Sequence, residues 1–260
     1  MTNDTLTLDA AYTGPLATAG VRPETIVSAH GLTKRYQLGK DNFVDALRGA
    51  TMQVWAGEMV AIMGPSGCGK STLLHMLGCL DAPDSGEVRL DGSRVDNIGD
   101  RATTQLLRTK IGFIFQGFNL VPTMSALDNV AVAGQYAGRR RSQAQAAARR
   151  ALQAVGLAER AGHRPSELSG GQQQRVAIAR ALVNHPLVIF GDEPTGNLDS
   201  ASSSEVTAMM RDISVTTGTT FILVTHDPDV ASACDRTIFM KDGVVTRDSG
   251  LETAWADEAA

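Results

Sequence analysis

Met59-Val60-Ala61-Ile62-Met63 runs directly into Gly64-Pro65-Ser66-Gly67-Cys68-Gly69-Lys70-Ser71, and a helical stripe follows. The first five residues are wholly apolar and bounded by glycine, which suits a strand buried on both faces within a helix-covered parallel sheet. Leu73, Met76, Leu77 and Leu80 recur at i, i+3, i+4 and i+7, the period of a helix. The octet between them matches G-x-x-x-x-G-K-S without departure. In a strand–loop–helix setting, its glycines let backbone N–H groups curl around phosphate oxygens, and the helix start adds its positive dipole end. Lys70 is expected to reach the β- and γ-phosphates of a nucleotide and Ser71 to hold Mg²⁺. Gly64 to Ser71, with Thr72 after them, form the expected nucleotide-binding stretch. Cys68 occupies a free position of the loop and reads as a spacer. The sharper alternative is a thiol whose modification blocks the nucleotide.

The apolar runs Leu187 to Phe190 and Phe221 to Val224 repeat the strand pattern. Val206, Met209, Met210 and Ile213 repeat the helical one, and Gly218 ends it. The middle of the chain is helix-like: Ala148, Ala151, Leu152 and Val155 form a stripe closed by Gly156. Ala50 to Val54 and Glu87 to Leu90 suit a small antiparallel sheet. The plan is therefore α/β with a helical insert. Residues 1 to 24 read as a flexible leader, 25 to 247 as the folded domain with its insert over about 118 to 176, and 248 to 260 as a flexible tail.

Leu187 to Phe190 leads into Gly191-Asp192-Glu193. A buried strand delivers Asp192 to the carboxyl edge of the sheet, where α/β proteins bind ligands. There Asp192 can hold Mg²⁺ through water, and Glu193 can polarise an attacking water. Gly191 adds no side chain before the acids, so the metal site is expected intact and the strand end looser.

Net charge is −4, which argues against a nucleic-acid partner. Aromatic residues are 5 % of the chain, so the core must be aliphatic. Cys68, Cys79 and Cys234 fit no metal-ligand spacing and cannot all pair, as in a reduced, cytoplasmic chain. No apolar run approaches the ~20 residues that cross a bilayer, and the N-terminus lacks a signal-peptide pattern. Any membrane step is expected to be supplied by another protein.

Leu168-Ser169-Gly170-Gly171-Gln172-Gln173-Gln174-Arg175 precedes and opens a helix whose inner face carries Val176, Ala179 and Val183. A serine and free N–H groups at a helix start make an anion site. A plain helix cap explains Ser169, but not two glycines and three glutamines. With LSGGQ in place, residues 25 to 247 resemble the nucleotide-binding subunit of ABC transporters. The fold this implies is that of the P-loop NTPases: a RecA-like, mostly parallel core, an antiparallel β subdomain and an inserted helical signature subdomain. The resemblance also implies a head-to-tail homodimer with two ATP molecules at its interface. Each ATP then touches Lys70 of one copy and Ser169, Gly170, Gly171 and Gln172 of the other. Tyr36 matches the adenine-stacking aromatic, although a tyrosine on a strand face needs no ligand. Gln116 matches the glutamine that senses metal and water and couples to the membrane partner. Asp199, in Gly196-Asn197-Leu198-Asp199, matches the loop that crosses to the opposite copy, and His226 the switch histidine on the γ-phosphate. Glu193, His226 and Gln116 form the implied catalytic set, and Ser71, Gln116 and Asp192 the implied metal set.

Gln116-Gly117-Phe118-Asn119-Leu120-Val121-Pro122, Asn129-Val130, LSGGQQQR and Pro194 to Asp199 together resemble the macrolide-export and lipoprotein-release (MacB-like and LolD-like) branch. That branch implies an ATPase on the cytoplasmic face of the membrane, driving a separate permease with an extracytoplasmic domain. The competing class is the soluble ABC ATPases of DNA repair, chromosome organisation or translation. Its usual coiled coils, zinc cysteines or second cassette have no counterpart here. An unrelated P-loop kinase or GTPase leaves LSGGQ unexplained. Arg139-Arg140-Arg141, Arg149 and Arg150 read as a solvated helical face rather than a membrane or nucleic-acid patch.

Overall fold

The computed structural model describes residues 24–250 except 38, 40 and 41. The leader over residues 1–23 and the tail beyond residue 250 lie outside the described residues. The chain begins with β1 (Thr25–Gln37), β2 (Phe43–Trp55) and β3 (Met59–Met63), followed by α1 (Lys70–Leu77). Next come β4 (Ser85–Leu90), β5 (Ser93–Arg94), α2 (Asp100–Thr109) and β6 (Ile111–Phe115). A helical section follows, with α3 (Ala126–Tyr136), α4 (Arg141–Ala154) and α5 (Gly170–Leu182). The last part holds β7 (Val188–Asp192), α6 (Ser200–Thr217), β8 (Thr220–Val224), α7 (Pro228–Ser232), β9 (Arg236–Lys241) and β10 (Val244–Asp248).

Two sheets result. The first is antiparallel, in the order β2-β1-β4-β5. The second runs β10-β9-β3-β8-β7-β6, parallel except for β10. The apolar runs are the parallel strands, and their two-residue period feeds two cores. Val60, Ile62, Val188, Phe190, Ile222 and Val224 face one core, which the antiparallel sheet and α1 complete. Met59, Ile189, Phe221 and Leu223 face the other, shared with α3, α4, α5 and α6. Phe190 and Phe221 are fully buried on opposite faces, each contributing about 2–3 kcal/mol of hydrophobic stabilisation.

Three boundaries differ from the sequence reading. Helix α1 ends at Leu77, and Leu80, expected on its stripe, is exposed. A side chain at Gly78 would strike the Phe113 ring, and Cys79 turns the chain with φ 57°. Helix α5 runs unbroken to Leu182, past residue 176, the expected end of the insert, and near its end the Ala181 carbonyl lies against Gly112 of β6. Asp248, the expected start of the tail, closes β10 with its carboxylate buried against Arg236, 2.6 Å away. Helix α2 was not anticipated: none of its residues is fully buried, and Leu106 and Leu107 only half-cover the first core.

Gly191 does not loosen its strand. A Cβ there would lie 2.7 Å from Leu223 Cδ2 and 3.4 Å from Pro194 Cγ, so these side chains already fill the space. Gly112 on β6 is more constrained, since its Cβ would lie 2.9 Å from the Ala181 carbonyl oxygen of α5. Backbone yields less readily than the end of a leucine. Gly112→Ala should therefore destabilise the chain by about 1–3 kcal/mol, and Gly191→Ala by less. Denaturant unfolding of the two variants checks the order.

Candidate functional site

The parallel register brings four strand ends level. Ile62 pairs with Val224, Val224 with Asp192, and Asp192 with Phe115. The next residues of these strands therefore share one edge of the sheet: Met63-Gly64, Thr225-His226, Glu193 and Gln116.

The glycine loop is locked by close backbone approach. Gly64 and Gly69 have φ of 153° and 100°, and Cβ atoms there would lie 2.2 Å from Met240 O and 2.3 Å from Ala46 O. The loop is thus pressed against β9 and β2, and the Gly243 N–H donates to the Cys68 carbonyl at 3.1 Å. Cys68 itself is buried in the first core. A thiol reagent does not meet it at the surface, which favours the spacer reading. No side chain caps α1, so its first N–H groups are available to an anion. Lys70 is buried and donates to the Gly64 and Pro65 carbonyls at 2.8 and 2.9 Å. Ser71 Oγ donates to Asp192 Oδ1 at 2.9 Å. Two hard oxygen donors from different elements thus meet beside the loop. Among the described residues no three His, Cys, Asp or Glu side chains cluster to hold a metal unaided. The Ser71–Asp192 pair can share a hard cation with phosphate and water oxygens.

Glu193 sits in a left-handed conformation, φ 49°, its N–H donating to Val224 O and its carbonyl accepting from Gly196 N. This turns its side chain toward the end of β8. There His226 Nδ1 lies 2.9 Å from both carboxylate oxygens. The hydrogen bond and charge of Glu193 raise the imidazole pKa above its ordinary 6.5. Asp227 caps α7 and fixes the backbone after the histidine by accepting from Asp229 N. A carboxylate and an imidazole one strand from a phosphate loop can orient water and stabilise charge leaving a phosphoryl group.

The remaining expected residues are partly gathered. Gln116 reaches the same edge, but its Nε2 donates to Asn197 Oδ1 at 3.1 Å, while Asn197 Nδ2 returns a bond to Gln116 O. Tyr36 stands at the end of β1, and its hydroxyl donates to Asp81 Oδ2 at 3.0 Å. Burial and Asp81 raise its pKa. Lys34 donates to the same carboxylate at 2.9 Å, so a lysine and an aspartate that sequence motifs did not mark hold the aromatic. Thr72 lies beside the Tyr36 hydroxyl. Ser169 caps α5: its Oγ accepts from Gln172 N, and Gln172 Oε1 accepts from Ser169 N. Cβ atoms at Gly170 and Gly171 would come to 3.5 Å from Leu198 Cδ2 and 3.4 Å from Ser202, so the two glycines leave a small space there. Asp199 caps α6 by accepting from the Ser202 N–H and hydroxyl, both 2.9 Å, and the Ser202 N–H lowers its pKa. Gln174, within the signature, is buried and bonded to Pro194 O. Three consecutive glutamines opening a helix that packs in the core were the only sequence sign of it.

The ABC transporter family profile matches residues 47–196. A macrolide export ATP-binding/permease protein of Marinobacter nauticus is 47% identical over 230 residues, covering 88% of this chain and 35% of that protein. The chain thus spans about a third of the length of such curated relatives. An uncharacterised ABC transporter ATP-binding protein of Thermotoga maritima is 47% identical, over 84% of this chain and 92% of that protein. Among solved structures, a dimeric ATP-binding cassette in a post-hydrolysis state, bound to ADP and Pi, superposes with a TM-score of 0.79. It is 40% identical, over 86% of this chain and 98% of that one.

The imidazole shift gives a direct check. A raised pKa means that the His226–Glu193 ion pair is complete below the ordinary value and is lost as pH rises through the raised one. NMR titration should place His226 above about 6.5, and Glu193→Gln should bring it back toward that value. An unchanged titration would refute the pairing.

Proposed function

The chain belongs to the ABC transporter family, and from that premise we propose that it binds ATP with Mg²⁺ between two copies of itself and hydrolyses it to drive a permease. The carrying observation is the Glu193–His226 pair at the strand ends next to the Lys70 loop. In this reading Gly64 to Ser71 and Thr72 wrap the phosphates, Lys70 moves from the loop carbonyls onto the β- and γ-phosphates, and Tyr36 stacks on adenine. Mg²⁺ would neutralise charge on the phosphate oxygens, with Ser71, Asp192 and Gln116 as its holders. Glu193 accepts the proton of the attacking water, and His226 steadies the γ-phosphate and the carboxylate together.

Ser169, Gly170, Gly171 and Gln172, with Asp199 beside them, form the half-site offered to the partner subunit's ATP. Support for the pairing comes from the related cassettes solved as dimers. No helix among the described residues is long and apolar enough to cross a membrane. In this reading, which rests on the branch resemblance, the cassette works at the cytoplasmic face against a permease. The relatives named macrolide export ATP-binding/permease proteins support a permease partner, and the branch resemblance implies one with an extracytoplasmic domain. Closing and opening of the dimer would then move that permease.

Glu193→Gln should bind ATP with wild-type affinity, lose about 10²–10⁴-fold in turnover and accumulate as an ATP-dependent dimer in sedimentation. Normal turnover would sink the assignment. Ser169→Asp keeps a good helix cap but sets a negative charge against the partner's γ-phosphate. It should fold and bind ATP as a monomer, yet fail to dimerise even with Glu193→Gln. Dimerisation of that double variant would remove Ser169 from the interface.

A further inference from the structure

Gln174 lies five residues beyond Ser169 on α5, fully buried. Its Nε2 donates to the carbonyl of Pro194, the residue after Glu193. Its Oε1 is buried without a hydrogen-bond partner. An aliphatic side chain of the same length would fill this space without burying a half-satisfied amide. What it would lack is a donor for Pro194 O.

That donor completes the fixation of Glu193. The Glu193 N–H is held by Val224 O, and its carbonyl by Gly196 N. Proline has no N–H, so the residue Pro194 can be held by main-chain hydrogen bonds only through its carbonyl oxygen. The start of α5 faces the far end of the same turn: a Cβ at Gly170 would reach van der Waals range of Leu198, and one at Gly171 that of Ser202 in the first turn of α6. Helix α5 therefore runs alongside this turn at its start and grips it behind the acid through Gln174.

We propose that Gln174 is a positioning residue that couples the signature helix to Glu193 of the same chain. A displacement of α5, imposed when Ser169 engages the partner subunit, reaches the Pro194 peptide through the amide and sets the carboxylate for water activation. The inference rests on Glu193 being the base. It adds a residue that acts through that base while touching neither ATP nor water.

The test uses the full chain with Gln174→Leu and Gln174→Glu. Gln174→Leu should melt near the wild-type temperature, bind ATP within about threefold of wild type and still dimerise with ATP in the Glu193→Gln background. Its kcat should fall about 10- to 100-fold, the scale of a small misplacement of a reacting group. Glutamate in this buried place has its pKa raised and can donate to Pro194 O only when protonated. Turnover of Gln174→Glu relative to wild type should therefore climb as pH falls from 8 to 6. Wild-type kcat in Gln174→Leu overturns the proposal. So does a kcat loss matched by equal losses in ATP affinity and melting temperature. If Gln174→Leu does not fold, the Gln174→Glu profile decides: a pH-independent ratio overturns the proposal. If Glu193→Gln itself turns over normally, the reading of Glu193 has failed. If Glu193→Gln is inactive and Gln174→Leu is not, only the coupling role falls.

Discussion

The parallel ladder that joins Ile62 to Val224, Val224 to Asp192 and Asp192 to Phe115 fixes the height at which each reactive group stands. Each strand is buried on both sides, so a slip by one residue would exchange its two faces and disrupt both cores at once. The register is thereby enforced by about a dozen apolar side chains that take no part in chemistry. The Ser71–Asp192 and Glu193–His226 contacts follow from it. Neither needs a long or flexible side chain, because the ladder has already brought the backbones within reach.

A second constraint is close backbone approach. Gly64 and Gly69 hold the phosphate loop against Met240 and Ala46, and Gly112 lets α5 settle on β6. The helix that opens with the signature is thus seated on the same sheet that carries the acids. Gln174 grips the turn behind the acid, and the signature glycines stand beside the far end of that turn on the same helix. The proposed division of an ATP site between two copies would use that arrangement: exposed Ser169 at the start of α5 and the turn that holds Glu193 share one support.

Much of this was legible in the sequence because buried parallel strands are written as short apolar runs, and because the loop glycines leave a fixed spacing. Met59–Met63 appears as a strand where expected. Ser169 and Asp199 appear as helix caps, a role their residue types permit without any ligand. Contacts between distant segments were not legible. Asp81 and Lys34 meet Tyr36 only because β1 and the segment after α1 fold together. Leu80 fits the helical period but lies beyond a turn forced by Phe113. Asp248 looked like tail composition, yet Arg236 draws it into the fold. In each case pattern along the chain yielded to packing across it.

A crystal structure of the Glu193→Gln chain grown with ATP and Mg²⁺ would show whether the site is divided between two molecules. The expected result is a head-to-tail dimer in which Lys70 Nζ of one protomer and the partner subunit's Ser169 Oγ both lie within hydrogen-bond distance of the same γ-phosphate. A dimer with Ser169 turned to solvent, or with ATP enclosed by one chain alone, would contradict it.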